Sequence, residues 1–199
     1  MSRLYEVIHI IASPIVGLLF PTTVTGLENV PMGEKLVLCA NHASAMDPIL
    51  ICKVLPRTYR IRIMAKKELM EIPLLGKLIA KLGAFGVDRG NADLVAVKKA
   101  IKAVRDGELL LVFPEGTRVQ YEGQVRPKGG VAMIALRTGA ALVPVYVGGK
   151  KRLFHRTNII FGKPYLPTTA TRHGTAEEYQ QYADEIVRRA YALGEGEKK

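Results

Sequence analysis

Two cysteines, Cys39 and Cys52, are too few in 199 residues for a disulfide scaffold or a four-thiolate zinc site. Four histidines, His9, His42, His155 and His173, make a histidine-rich metal centre a poor expectation. Acidic residues are scarce: 18 against 29 lysines and arginines leave a net charge of +11. That excess suits nucleic acid, an anionic membrane surface or a phosphorylated substrate. Tryptophan is absent, aromatics reach only 7%, and none interleave the basic stretches. With no zinc pattern and no recognition helix, nucleic acid is set aside. No GxSxG elbow is present, which argues against a serine hydrolase. No repeat, linker or low-complexity segment appears. Hydrophobic residues at 48% and charged residues at 24% exclude a disordered chain and describe one globular domain.

The apolar excess is concentrated in Leu4–Phe20, LYEVIHIIASPIVGLLF. As a straight helix this run reaches ~25 Å, short of the ~30 Å bilayer core, and Pro14 should kink it. One cation precedes it and no small-x-small cleavage site closes it, so a secretory signal fits poorly. Two readings stand: a buried core helix, or a helix lying in the membrane interface. The positive charge favours the second. The expected division is residues 1–24 as a membrane-associating segment and 25–199 as a single α/β domain.

Beyond residue 25, apolar runs alternate with amphipathic stretches. Strands are predicted at Lys35–Ala40, Arg60–Ala65, Ala84–Val87, Leu109–Phe113, Leu142–Val147 and Asn158–Phe161. Between them come helices. One opens at Asp47-Pro48, with Asp47 as N-cap. One runs over Glu68–Leu82, broken at Pro73. One is capped by Asn91 and carries Leu94, Val97, Ile101 and Val104 inward. One covers Gly130–Thr138 and stops at Gly139. Thr175 and Glu178 form a capping box for the last helix. Strands separated by helices imply an α/β fold: a mostly parallel central sheet flanked by helices, with the apolar segment at its N-terminus. Such sheets gather their sites at the carboxyl ends of the strands.

The loops that leave the strands therefore carry the functional signal. Asn41-His42-Ala43-Ser44-Ala45-Met46-Asp47 leaves the first strand. If the turn brings Asp47 to His42, the carboxylate fixes the tautomer and the other ring nitrogen can take a substrate proton. Without that contact, Asp47 is a helix cap and His42 a turn residue. Pro114-Glu115-Gly116-Thr117-Arg118 comes after another strand and offers an oxyanion-binding turn, with a close backbone, a hydroxyl and a guanidinium fork. Arg126, Lys128, Lys66, Lys67 and the Asp88-Arg89 pair add charge at strand ends. Together they describe a phosphate-lined mouth with one candidate base.

These residues resemble the bacterial PlsC-type 1-acylglycerol-3-phosphate acyltransferases of the glycerolipid acyltransferase superfamily. The HxxxxD box matches residues 41–47. A second box matches Gly83–Arg89, with Gly86-Val87 where many members carry a bulkier pair. FPEGTR matches 113–118, and Val143-Pro144-Val145-Tyr146 matches the fourth box. Ala65–Leu69, Ile72-Pro73 and Gly76 fit an AKKEL element. The resemblance implies transfer of a fatty acyl chain from acyl-CoA or acyl carrier protein to lysophosphatidate, or to glycerol 3-phosphate or another lysolipid. It also implies His42 as base, Asp47 as its partner, and Lys66, Arg118, Glu115, Gly116 and Thr117 at the acceptor phosphate. Asp88, Arg89 and Lys128 would support them. No metal and no resident cofactor are expected. The expected setting is peripheral or monotopic, on the cytoplasmic face of an anionic membrane.

Overall fold

Strands buried on both faces need helices on both sides, and the computed structural model supplies them; it describes residues 3–88, 93–148, 151–169 and 174–195. The elements in order are α1 (Arg3–Leu19), β1 (Thr22–Thr25), β2 (Leu36–Ala40), α2 (Asp47–Val54), β3 (Ile61–Lys66), α3 (Lys67–Glu71), α4 (Leu75–Lys81) and β4 (Ala84–Val87). They continue with α5 (Leu94–Arg105), β5 (Leu109–Val112), α6 (Gly130–Thr138), β6 (Ala141–Val147), β7 (Thr157–Phe161) and α7 (Ala176–Glu195). The seven strands form one sheet in the order β1-β7-β6-β2-β5-β3-β4. All pairings are parallel except β6 with β7. The α/β fold implied by the strand–helix alternation is the one observed.

Strand periodicity divides the core. Leu36, Leu38 and Ala40 of β2 face Leu50 and Ile51 of α2, with Val16 and Phe20 from the α1 side packed against them. Val37 and Cys39 face the opposite way, toward Ala100 and Val104 of α5, Ile134 of α6 and Ile186 of α7. Cys39 is buried and Cys52 partly so, and burial pushes both thiols above their ordinary pKa.

Three details differ from the expectations of the sequence. β1 is an added strand; its TTVT pairs with β7, so the sheet starts ahead of residue 25. Leu94 is exposed rather than inward, because α5 buries Ala96, Ala100, Ile101, Ala103 and Val104 instead. Asn91 lies outside the described residues; the cap of α5 is Asp93, whose carboxylate accepts from the Ala96 amide at 2.8 Å. The break at Pro73 separates α3 from α4, and the Thr175–Glu178 capping box forms with both reciprocal bonds.

The helix α1 continues through Pro14. Val16 and Phe20 touch the core, while Ile11, Ile15 and Leu18 lie exposed along one stripe. A wholly buried core helix is thereby excluded. Among the described residues, no helix is long and apolar enough to cross a membrane.

Candidate active site

The loop leaving β2 is clamped before it turns. Asn41 is buried, and its amide pairs with the backbone of Val147 in both directions: Nδ2 donates to the carbonyl at 3.1 Å, and Oδ1 accepts from the amide at 2.7 Å. The side chain thus extends the β2–β6 ladder by one step and fixes where His42 begins.

His42 stacks on Phe113 from the end of β5, with ring centroids 4.3 Å apart. Its Nδ1 lies 3.1 Å from Asp47 Oδ2. The imidazole remains 12% exposed, while Asp47 is fully buried. Its Nε2 is therefore the nitrogen left for an incoming group. The same Oδ2 accepts from the amides of Ala43 and Ser44, both at 2.7 Å. Oδ1 lies 2.7 Å from Lys151 Nζ and has no other polar partner among the described residues. Burial alone would raise the Asp47 carboxyl. His42, Lys151 and the Ser44 amide outweigh it and hold the group below the ordinary aspartate value.

Asp47 is not the helix cap expected of it. It is the first residue of α2, the cap position is Met46, and no side chain caps the helix. The carboxylate reaches backward into the loop, where the Ala43 and Ser44 amides meet it, while the Leu50 amide that a cap would bind is taken by the Met46 carbonyl at 2.9 Å. Two side chains five positions apart would diverge on one helix; they converge here because Ser44–Asp47 close a turn, the Asp47 amide donating to the Ser44 carbonyl at 3.1 Å.

The loop after β5 locks against this turn. The Val119 amide donates to the His42 carbonyl at 2.8 Å, and the Lys128 amide to the Pro114 carbonyl at 2.8 Å. Glu115, expected at the acceptor phosphate, is instead buried. Its Oε2 accepts from the His42 amide and its Oε1 from the Tyr191 hydroxyl of α7, each at 2.8 Å. Those donors turn the carboxylate inward, where it ties β2, the β5 loop and α7 together. Burial lifts its pKa above the ordinary glutamate value, against the pull of Tyr191 and the His42 amide.

The remaining expected residues sit around the mouth. Thr117, Arg118 and Lys128 are exposed at the β5 loop. Gly116 has φ +67, and the Lys128 stem runs within contact distance of where a Cβ would stand. Lys66 ends β3, half exposed, with its ammonium 3.1 Å from Glu68. Asp88 follows β4, its amide donating to Asp93 at 2.9 Å. Arg89 lies outside the described residues. Beside Phe113, Gly116 and Lys128 opens a cavity of about 460 Å³, lined by Met64, Val97, Val112, Val131, Met133 and Ile134. Sequence reasoning assigns no role to Asn41, Tyr191 or Lys151. Of the three, Lys151 carries the clearest signal, a cation just past a strand's carboxyl end.

The family described as Acyltransferase matches residues 21–148. A 1-acyl-sn-glycerol-3-phosphate acyltransferase of Bacillus subtilis is 36% identical over 143 residues, covering 69% of this chain and 70% of that one. The Borreliella burgdorferi protein of the same name is 35% identical over 141 residues, covering 69% of this chain; this chain spans 55% of its length. The crystal structure of the 1-acyl-sn-glycerophosphate acyltransferase PlsC from Thermotoga maritima superposes with a TM-score of 0.70 at 28% identity, over 95% of this chain and 79% of that one. With the HxxxxD turn and the FPEGTR loop both inside the matched span, the chain belongs to the acyltransferase family.

Proposed function

We propose that this protein transfers a fatty acyl chain from acyl-CoA or acyl carrier protein to the sn-2 hydroxyl of 1-acylglycerol 3-phosphate, giving phosphatidic acid. The observation that carries the reading is the His42–Asp47 pair, held at 3.1 Å against the FPEGTR loop. The names of the relatives support the acceptor.

Asp47 is ionised, so Nδ1 of His42 carries the hydrogen and Nε2 is the base. Nε2 takes the hydroxyl proton as the oxygen attacks the thioester carbonyl. The C–O bond forms, the tetrahedral intermediate collapses, and the C–S bond breaks. The leaving thiolate takes the proton back from the imidazolium, which Asp47 stabilises in between. The step needs no metal or resident cofactor. Lys66 and Arg118 receive the acceptor phosphate, with Lys128 beside them and Gly116 and Thr117 shaping the turn. Asp88 supports that rim from the end of the neighbouring strand. The cavity behind Phe113 suits an acyl chain, being walled by aliphatic and methionine side chains.

The exposed stripe Ile11, Ile15 and Leu18, together with exposed Leu153 and Phe154, supports docking on a membrane. The Phe154 amide donates to the Leu19 carbonyl at 2.7 Å, so the two apolar features adjoin. Arg152 and Arg156 flank the loop and suit anionic lipid on the cytoplasmic face, where acyl thioesters are made.

Thiol release from acyl-CoA in detergent tests the reading, with lysophosphatidate and glycerol 3-phosphate compared as acceptors. Release stimulated by lysophosphatidate and abolished in His42→Ala is expected. Stimulation by glycerol 3-phosphate alone would reassign the acceptor, and stimulation by neither would defeat the reading.

A further inference from the structure

A lysine buried against the partner of a catalytic histidine needs a reason. Lys151 stands four residues past β6 and beyond the span matched by the family. Its side chain is 2% exposed, although lysines are almost never fully buried without a partner. Its Nζ lies 2.7 Å from Asp47 Oδ1 and donates to the Gly148 carbonyl at 2.5 Å. The two oxygens of Asp47 therefore have separate duties. Oδ2 serves His42 and two loop amides, and Oδ1 serves Lys151.

We propose that Lys151 is a positioning residue for the base: its ammonium holds Asp47 by Oδ1, keeping Oδ2 aimed at His42 Nδ1 and the imidazole free to accept the acceptor's proton. This rests on the acyl-transfer reading for its kinetic consequence, but not for its geometry.

The geometry makes the arrangement specific. Asn41 fastens the end of β2 to Val147, and the Lys151 ammonium bonds the carbonyl of the next residue, Gly148. His42 and Lys151 thus approach Asp47 from two neighbouring parallel strands, β2 and β6, and α2 offers the carboxylate between them. A carboxylate at this depth with no counter-charge is costly and binds a proton instead. Protonated, Asp47 can no longer stabilise the imidazolium. Conversely, the Lys151 charge opposes a second positive charge beside the same carboxylate. Both effects act in one direction: without Lys151, the His42–Asp47 pair takes up a proton at higher pH. Among the described residues, Glu115 from the β5 loop is the other charged group that meets His42. It contacts the backbone amide, and Phe113 covers the ring face, so neither contact changes when Lys151 is replaced.

The experiment compares wild type, Lys151→Met and Lys151→Gln by acyl transfer between about pH 5.5 and 9, a range that brackets an imidazole titration. Imidazole titration of His42 by NMR is followed in the same proteins. Turnover of Lys151→Met should fall on the order of a hundredfold near the acid end and recover as pH rises. KM for both substrates should stay within about twofold. Lys151→Gln keeps a donor for Oδ1 and so keeps the fold, but it lacks the charge; its acid limb should still move to higher pH, by about tenfold in proton concentration. In an Asp47→Asn background, Lys151→Met should add less than about threefold, since both act through one carboxylate. Should Lys151→Met fail to fold, Lys151→Gln alone decides. An acid limb unmoved in Lys151→Gln, or a loss equal at every pH, would overturn the proposal. If the wild type transfers no acyl chain to lysophosphatidate, the functional reading fails, and the NMR titration still decides the role of Lys151.

Discussion

At Glu115 one buried carboxylate serves two donors of different kinds, an amide that cannot turn and a hydroxyl that can. Glutamine can replace it. Its carbonyl accepts from the His42 amide, and its NH₂ donates to the Tyr191 oxygen, which then accepts rather than donates. The raised pKa of Glu115 sets the sign. Its contribution to stability is present below the ordinary glutamate value and is lost as pH rises through the raised one. Glu115→Gln should therefore melt at or above the wild-type temperature at about pH 8, with the difference shrinking toward about pH 4. A melting point several degrees lower at the alkaline end would mean that the charge itself holds the loop. Arg118 is the opposite case, an exposed cation at the mouth. Arg118→Lys should raise KM for lysophosphatidate about tenfold and leave KM for acyl-CoA nearly unchanged, because lysine cannot bind phosphate through two parallel bonds. Equal damage toward donor and acceptor would make Arg118 a structural residue.

Among the elements, α3 shows how a box residue sets the height of a helix. A Cβ on Gly86 of β4 would stand 3.2 Å from Lys67 Cα and 3.2 Å from Met70 Cγ, so α3 rests on the bare strand. Lys66 is the last residue of β3 and the cap position of α3. Gly86→Val should lift α3, lower the melting temperature, and raise KM for the acceptor by displacing Lys66; thermal melting and acceptor kinetics read the two effects together. An unchanged acceptor KM would separate α3 from the phosphate site. The strands and most helices are legible in the sequence because buried parallel strands leave unbroken apolar runs between Gly and Pro punctuation. β1 escapes because its four residues, TTVT, lack such a run and adjoin a longer apolar segment. Asp47 is legible as a partner for His42 but not in its geometry. N-cap residues and residues that bond backward into a turn are the same types, Asp, Asn and Ser, and only which backbone amides are left for the carboxylate separates them. Tyr191 and Glu115 are unreadable as a pair because 76 positions separate them.

Over the whole molecule, the α1 stripe and the Leu153–Phe154 loop have to be weighed against the core. Deleting residues 1–20 would remove Val16 and Phe20 from the packed face of β2, so loss of function in that deletion would not separate folding from docking. Replacing only Ile11, Ile15 and Leu18 by serine leaves those contacts in place. Each exposed aliphatic side chain contributes at least about 1.5 kcal/mol if it enters lipid, so the three together are worth about a thousandfold in partitioning. The +11 charge adds attraction that salt screens within ~10 Å at about 0.1 M. The triple variant should therefore melt like the wild type yet fail to sediment with anionic vesicles. Raised salt should weaken wild-type binding further on anionic vesicles than on zwitterionic ones. Acylation of vesicle-embedded lysophosphatidate should slow, while a short-chain soluble analogue is acylated at the wild-type rate. If the variant sediments as before and treats both acceptors alike, the stripe is no membrane face. The amphiphilic acceptor would then reach His42 from solution.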